Sequence, residues 1–245
     1  MLGFGYGWSG NGSPREIWLD QDGGWEDVAA LAILLRSPDV KVMGVATTPG
    51  IADAGTAKLR VGMMLDALRE KRDLMIEEIP VGADILATGP LTRVAGLIRA
   101  GRSPLKVTWM GGALRVLGNA RGGAEWNAAT DARALLQVLD SKAELTVCPL
   151  DLTNQFHAEP GVVRDEAKGV TAEIRKAYGE KERYWWDELA AAFVAAPGLF
   201  QKKRIKLRGD LRGRLKESAS GRMVEVLTEC DRAGFRGLLE RSLRF

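Results

Sequence analysis

Four carboxylates fall within eight residues near the start of the chain: Asp20, Asp22, Glu26 and Asp27. They follow a short apolar run that reads as a buried strand and precede an apolar helix pattern over 28–35. Gly23 and Gly24 lie between, so the stretch reads as strand, tight turn and helix start. Residues i and i+2 of a strand point the same way, which puts Asp20 and Asp22 on one side. Glu26 and Asp27 stand at the helix N-terminus, where free N–H groups favour negative charge. Helix and glycine amides are a weak counterweight for four acids, and a bound cation is the natural remedy. An all-oxygen set suits a hard ion, Ca²⁺ or Mg²⁺, rather than Zn²⁺. The plainer reading is helix capping by acids after a strand. An EF-hand is excluded, because Leu31 stands where its bidentate Glu belongs.

The elements that must hold these acids follow from periodicity. Strand-like runs at 17–20, 40–47, 84–88, 105–110 and 145–149 alternate with helix-like patterns at 26–36, 52–69, 91–100 and 131–139. That alternation predicts an α/β fold with an open, mostly parallel sheet flanked by helices. Ligands of such sheets bind at the C-terminal ends of the strands. The polar segments fall there: Asp20 and Asp22, then Thr47-Thr48-Pro49-Gly50, Thr88-Gly89-Pro90 and Met110-Gly111-Gly112. The stretch 111–131 carries Asn119, Glu125, Trp126 and Asn127, and its length marks a functional loop. Asp151-Leu152-Thr153 follows the fifth strand. Helices are predicted over 160–178 and about 181–196, the second with Trp185, Trp186 and Asp187 near its start. Asp187 is either a cap or a ligand. In the tail, 204–208, 214–217 and 223–227 read as short antiparallel strands and 234–243 as a closing helix. The tail is basic, but its charges alternate with apolar residues, the pattern of a half-buried edge sheet rather than of a nucleic-acid surface.

At 245 residues the chain can bury a large core. We expect one domain over 15–245 after an N-terminal arm, 1–14. The arm lacks the basic and apolar regions of a signal peptide, and no apolar run reaches transmembrane length. Neither membrane nor nucleic acid is expected as a partner, and the cytoplasm is the expected location. Cys148 and Cys230 are far apart, which suits a reducing compartment and argues against a disulfide scaffold or zinc knuckle. The single histidine, His157, sits in a polar turn. Ser-His-Asp, Cys-His and multi-histidine metal mechanisms must pass through it or be dropped.

Taken in order, the motifs resemble one family. Asp20-Gln21-Asp22-Gly23-Gly24-Trp25-Glu26-Asp27-Val28-Ala29 is similar to the D-x-D-P-G-x-D-D-A signature of the inosine-uridine-preferring nucleoside hydrolases. Ala46-Thr47-Thr48-Pro49-Gly50, Thr88-Gly89-Pro90-Leu91-Thr92, Trp109-Met110-Gly111-Gly112, Asn119 with Glu125-Trp126-Asn127 and Asp131, and Asp151-Leu152-Thr153 match its later segments. Trp186-Asp187 stands where the family often has His-Asp. The resemblance implies hydrolysis of the N-glycosidic bond of ribonucleosides and a homo-oligomer. It implies Ca²⁺ held by Asp22, Asp27, the Thr88 carbonyl and Asp187. Asp22 would also be the base that deprotonates water, with Asp20 behind it. Glu26, Met110, Asn119, Glu125 and Asn127 would hold the sugar.

The departures are as specific. Gly23 replaces the motif's proline, a conservative change for a turn. Glu26 replaces an Asp, with one extra methylene. Ile51 stands where the family has Asn. Trp186 replaces the histidine that protonates the leaving base, and stacking by Trp126, Trp185 or Trp186 is the aromatic substitute. The stretch between Pro80 and Asp84 is much shorter than in the family and lacks its cover loop. Two alternatives follow: an impaired relative that binds a nucleoside or sugar, and a haloacid-dehalogenase-like phosphatase, suggested by the D-x-D-G opening.

Overall fold

A computed structural model of the chain describes residues 13–104, 106–163, 168–179 and 183–244. Most of the expected N-terminal arm, Leu105 at the start of the expected fourth strand, and parts of the stretches read as helical at 160–178 and 181–196 lie outside the described residues.

The alternation read from the sequence is the fold. In chain order run β1 (Arg15–Gln21), α1 (Trp25–Leu35), β2 (Val40–Thr47), α2 (Ala54–Ala67), β3 (Asp84–Ala87), α3 (Thr92–Arg99) and β4 (Lys106–Met110). Then come α4 (Trp126–Thr130), α5 (Ala132–Leu139), β5 (Glu144–Cys148), α6 (Leu150–Thr153), α7 (Val170–Gly179) and α8 (Trp186–Ala195). The tail holds β6 (Phe200–Gly209), β7 (Leu215–Glu217), β8 (Arg222–Cys230) and α9 (Arg232–Leu243). One sheet joins the strands in the order β2-β1-β3-β4-β5-β8-β6-β7. The antiparallel strands expected in the tail are present, with β6 pairing antiparallel to both β7 and β8. β8 also pairs parallel with β5, so the tail continues the main sheet. The region at 160–178 differs from a single helix: a 3₁₀ turn spans Pro160–Val162 and α7 begins at Val170.

Two apolar layers cover the sheet. In α1 every residue from Asp27 to Leu34 is buried, because the helix is apolar all round and is packed by α2, α7, α8 and α9. The other layer includes α3 and α5, which pack together. Burial of α1 and α8 fixes where their first turns sit, and those turns carry Glu26, Asp27 and Asp187. Among the described residues no helix is long and apolar enough to cross a membrane.

Candidate active site

A cavity of about 270 Å³ opens at the C-terminal ends of the parallel strands. Asp22, Glu26, Asp27, Thr88, Met110, Asn119, Glu125, Trp126, Asn127, Trp186 and Asp187 all line it. Apart from Trp185, the residues expected to touch metal or substrate are therefore brought to one place, from positions up to 165 apart in the chain (22 to 187).

The turn after β1 is built for close approach. Gln21 Oε1 accepts from Gly23 N at 2.7 Å, and Gly24 N donates to Asp27 Oδ2 at 2.7 Å, which caps α1. Gly23 takes φ +90°. Proline is locked near −65°, so the change from the motif's proline is not conservative here: this turn follows a path closed to proline. Asp22 is wrapped by glycines. A Cβ on Gly50 would stand 2.2 Å from Asp22 Oδ2, and one on Gly89 2.7 Å from Asp22 Cβ. Ile51 N donates to Asp22 Oδ2 at 3.3 Å, and the Ile51 side chain lines the cavity.

The three aspartates expected to bind metal are 2%, 2% and 6% exposed at Asp22, Asp27 and Asp187. Burial pushes Asp22 up to about 6, helped by the charges of Glu125 and Asp20. Asp27 and Asp187 are held well above the usual carboxylate range, by burial first and then by neighbouring charge, that of Asp22 on Asp27 and those of Asp27 and Glu188 on Asp187. Thr88 Oγ1 donates to Asp27 Oδ1 at 2.5 Å, while the Thr88 carbonyl accepts from Asn127 Nδ2 at 3.0 Å. Among the described residues no three His, Cys, Asp or Glu side chains are grouped so that they could hold a metal ion as they stand. The donor types nonetheless suit a hard divalent cation: the buried carboxylates of Asp22, Asp27 and Asp187, each raised by burial and neighbouring charge, line one cavity with Thr88.

Other expected residues are partly occupied by the scaffold. Glu125 caps α4, accepting from Asn127 N at 2.8 Å, Ala128 N at 3.0 Å and Gly112 N at 2.9 Å. Asn127 Nδ2 also donates to the Met110 carbonyl at 3.1 Å. Asn119 Oδ1 accepts from Trp126 N at 2.8 Å. Asp131 and Asp151 take structural roles: Asp131 caps α5, and Asp151 accepts from the backbone of Leu114 and Arg115. Trp185 is not available for stacking on a base. It is buried, with its ring edge-on to Tyr178 at 4.7 Å. The exposed His157 packs on Tyr184, outside the cavity lining.

Asp20 stays behind the site. Its Oδ1 accepts from Thr48 Oγ1 at 2.7 Å and Arg93 Nε at 3.2 Å, and burial pushes it up to about 7 against the pull of Arg93. It does not line the cavity, so it is not placed as a phosphatase nucleophile. Arg183 was not expected. It lines the cavity and pairs with Glu26. In sequence it follows Lys181 and Glu182 and reads as one more surface charge.

The comparisons agree with this geometry. A family model described as inosine-uridine preferring nucleoside hydrolase matches residues 61–237, more than half of the chain. Uridine nucleosidase 1 of Arabidopsis thaliana is 23% identical, over 82% of this chain and 80% of its own length. The solved structure of an inosine-uridine preferring nucleoside hydrolase from Bacillus anthracis superposes with a TM-score of 0.79 at 22% identity, over 94% of this chain and 99% of that one. A purine-preferring ribonucleoside hydrolase from Gardnerella vaginalis gives 0.75 at 20% identity, over 94% and 98%. The phosphatase alternative falls with these matches. On the family match, carried on a fold whose strand ends gather the acids, the chain belongs to the inosine-uridine preferring nucleoside hydrolases.

Proposed function

We propose that this protein hydrolyses the N-glycosidic bond of ribonucleosides, with a divalent cation at the cavity floor and Asp22 as the general base. The observation that carries this reading is the meeting of Asp22, Asp27 and Asp187, from opposite ends of the chain, at one cavity. The carboxylates of Asp22, Asp27 and Asp187, with the Thr88 carbonyl, would hold the ion, calcium by first choice and magnesium by second. When bound, it supplies positive charge that orients the diol of a ribose and eases deprotonation of water.

The protein's own groups do the rest. Cleavage breaks the C1′–N bond, the electron pair leaves with the base, and the sugar passes through an oxocarbenium-like state. The acids of the floor stabilise that positive charge. Water adds at C1′ and Asp22 takes its proton. Glu26, Met110, Asn119, Glu125 and Asn127 bound the sugar, and Trp126 and Trp186 offer flat walls to the base. Glu125 and Asn127 are already pinned by backbone partners, so they lose little freedom when substrate arrives.

A second reading, a binder of nucleosides or sugars with little turnover, is favoured by one observation: the Glu26 carboxylate is engaged by Arg183. Release of free base from a nucleoside panel, with calcium and after chelation, separates the two. Turnover that needs the ion supports hydrolysis; calorimetric binding without product supports the second reading. The proposal includes action in the cytoplasm as a homo-oligomer, and light scattering measures the assembly.

A further inference from the structure

The acids of the floor serve the sugar half of the reaction and leave the base half unserved. Trp186 stands where the family has a proton donor, and an indole N–H can donate a hydrogen bond but does not titrate. Among the described residues, two buried donors on cavity-lining residues have no acceptor: Arg183 Nε and Trp186 Nε1. A buried N–H left unpaired is costly, so each such group calls for an explanation.

Arg183 is held in place. Its carbonyl accepts from Ala158 N at 2.8 Å, and Trp185 N donates to the Phe156 carbonyl at 2.9 Å. The Tyr184 ring lies 4.6 Å from His157 and 5.8 Å from Trp186. The guanidinium bonds the carboxylate of Glu26. The extra methylene of Glu26, relative to the motif's Asp, extends its reach towards that guanidinium. Two departures from the family pattern, Glu for Asp and Trp for His, thus meet at one arginine.

We propose that Arg183 is the leaving-group residue of this enzyme, with its guanidinium positioned by Glu26 and assisted by Trp186 Nε1. The inference rests on the nucleosidase reading above. Breaking the C1′–N bond leaves positive charge on the sugar and negative charge on the base. The cavity matches that separation, with acids on its floor and a guanidinium on its wall. Arginine does not release a proton near neutral pH. The base therefore leaves as an anion paired with the guanidinium and takes its proton from solvent on release. The proton lost by the attacking water passes to Asp22 and then to solvent. A fixed charge aimed at developing charge needs no reorganisation during the reaction.

The test compares leaving groups. Calcium-loaded wild type, R183M and R183A are assayed on uridine, inosine and p-nitrophenyl β-D-riboside, whose phenolate departs unaided. R183M is expected to lower kcat on the nucleosides about 100- to 1000-fold. On the nitrophenyl riboside it should stay within about threefold, because no leaving-group help is lost there. Added guanidinium ion should restore part of the R183A activity on nucleosides. Equal loss on both substrate types, or no loss on nucleosides, overturns the role of Arg183 and leaves the nucleosidase reading standing. Wild type that cleaves the nitrophenyl riboside but no nucleoside also overturns it. Wild type that cleaves none of the three overturns both.

Discussion

Asp22 and Asp27 reach the cavity from the end of β1, an inner strand next to the sheet edge, and from the first turn of a helix buried along most of its length. Arg183 reaches it from the connection before α8, tied by a few backbone bonds, and Trp186 from the first residue of α8. The floor is thus part of the sheet's own construction, wrapped by Gly50 and Gly89, while the wall is hung on it. Floor residues cannot move without disturbing β1 and α1. Wall residues can change with little effect on the core, and the departures from the family's motif fall on both parts: Gly23, Glu26 and Ile51 beside the floor aspartates, Trp186 on the wall. On the proposed function, the floor would carry the chemistry and the wall the choice of substrate.

The sharpest way to break that contrast is at Asp22, the proposed general base. D22N should lower kcat about 1000-fold, within the range for loss of a positioned base, while circular dichroism shows an unchanged fold. G50A should come next: its methyl group would press on Asp22 Oδ2, and misplacement of a reacting group by about 1 Å costs about 100-fold. Steady-state kinetics of G50A beside G62A makes the comparison, because a Cβ at Gly62 meets nothing within 4 Å.

Stability should move the other way from activity. In metal-free protein D187N removes one of several repelling buried acids and should raise the melting temperature by a few degrees. Excess calcium should reverse the ranking by stabilising the wild type alone. A melting temperature lowered by D187N without metal would mean that the acids are not in conflict. On the wall, W126A should raise KM for nucleosides about 3- to 10-fold, the value of a lost aromatic contact, and leave the nitrophenyl riboside's kcat unchanged. The smallest effect is G62A itself, which should add about 0.5–1 kcal/mol of stability by improving helix propensity in α2, measured by urea denaturation.

The floor was legible because acids clustered in a strand-turn-helix signature have few uses. The parallel sheet was legible because apolar runs alternated with helical patterns. Asp187 was legible only through resemblance, since an acid at a helix start is ordinarily a cap. The direction of β8 was hidden: alternation along a strand identifies its faces and says nothing of which neighbour it joins. Glu125 as an N-cap was hidden because Glu is not a preferred residue there, and its partners Gly112 and Ala128 are set by tertiary structure. The proline-closed path at Gly23 could not be read either, since glycine is compatible with both paths. Arg183 was the largest omission. A lone arginine in a charged run carries no periodic or motif signal, and only its placement against Glu26 gives it a role.

Isothermal titration of calcium into wild type and D187N tests the central claim most directly, that acids from both ends of the chain share one ion. The account expects one site per chain in the wild type and a loss of affinity of at least about 100-fold in D187N. Equal calcium affinity in the two proteins, each folded, would contradict it.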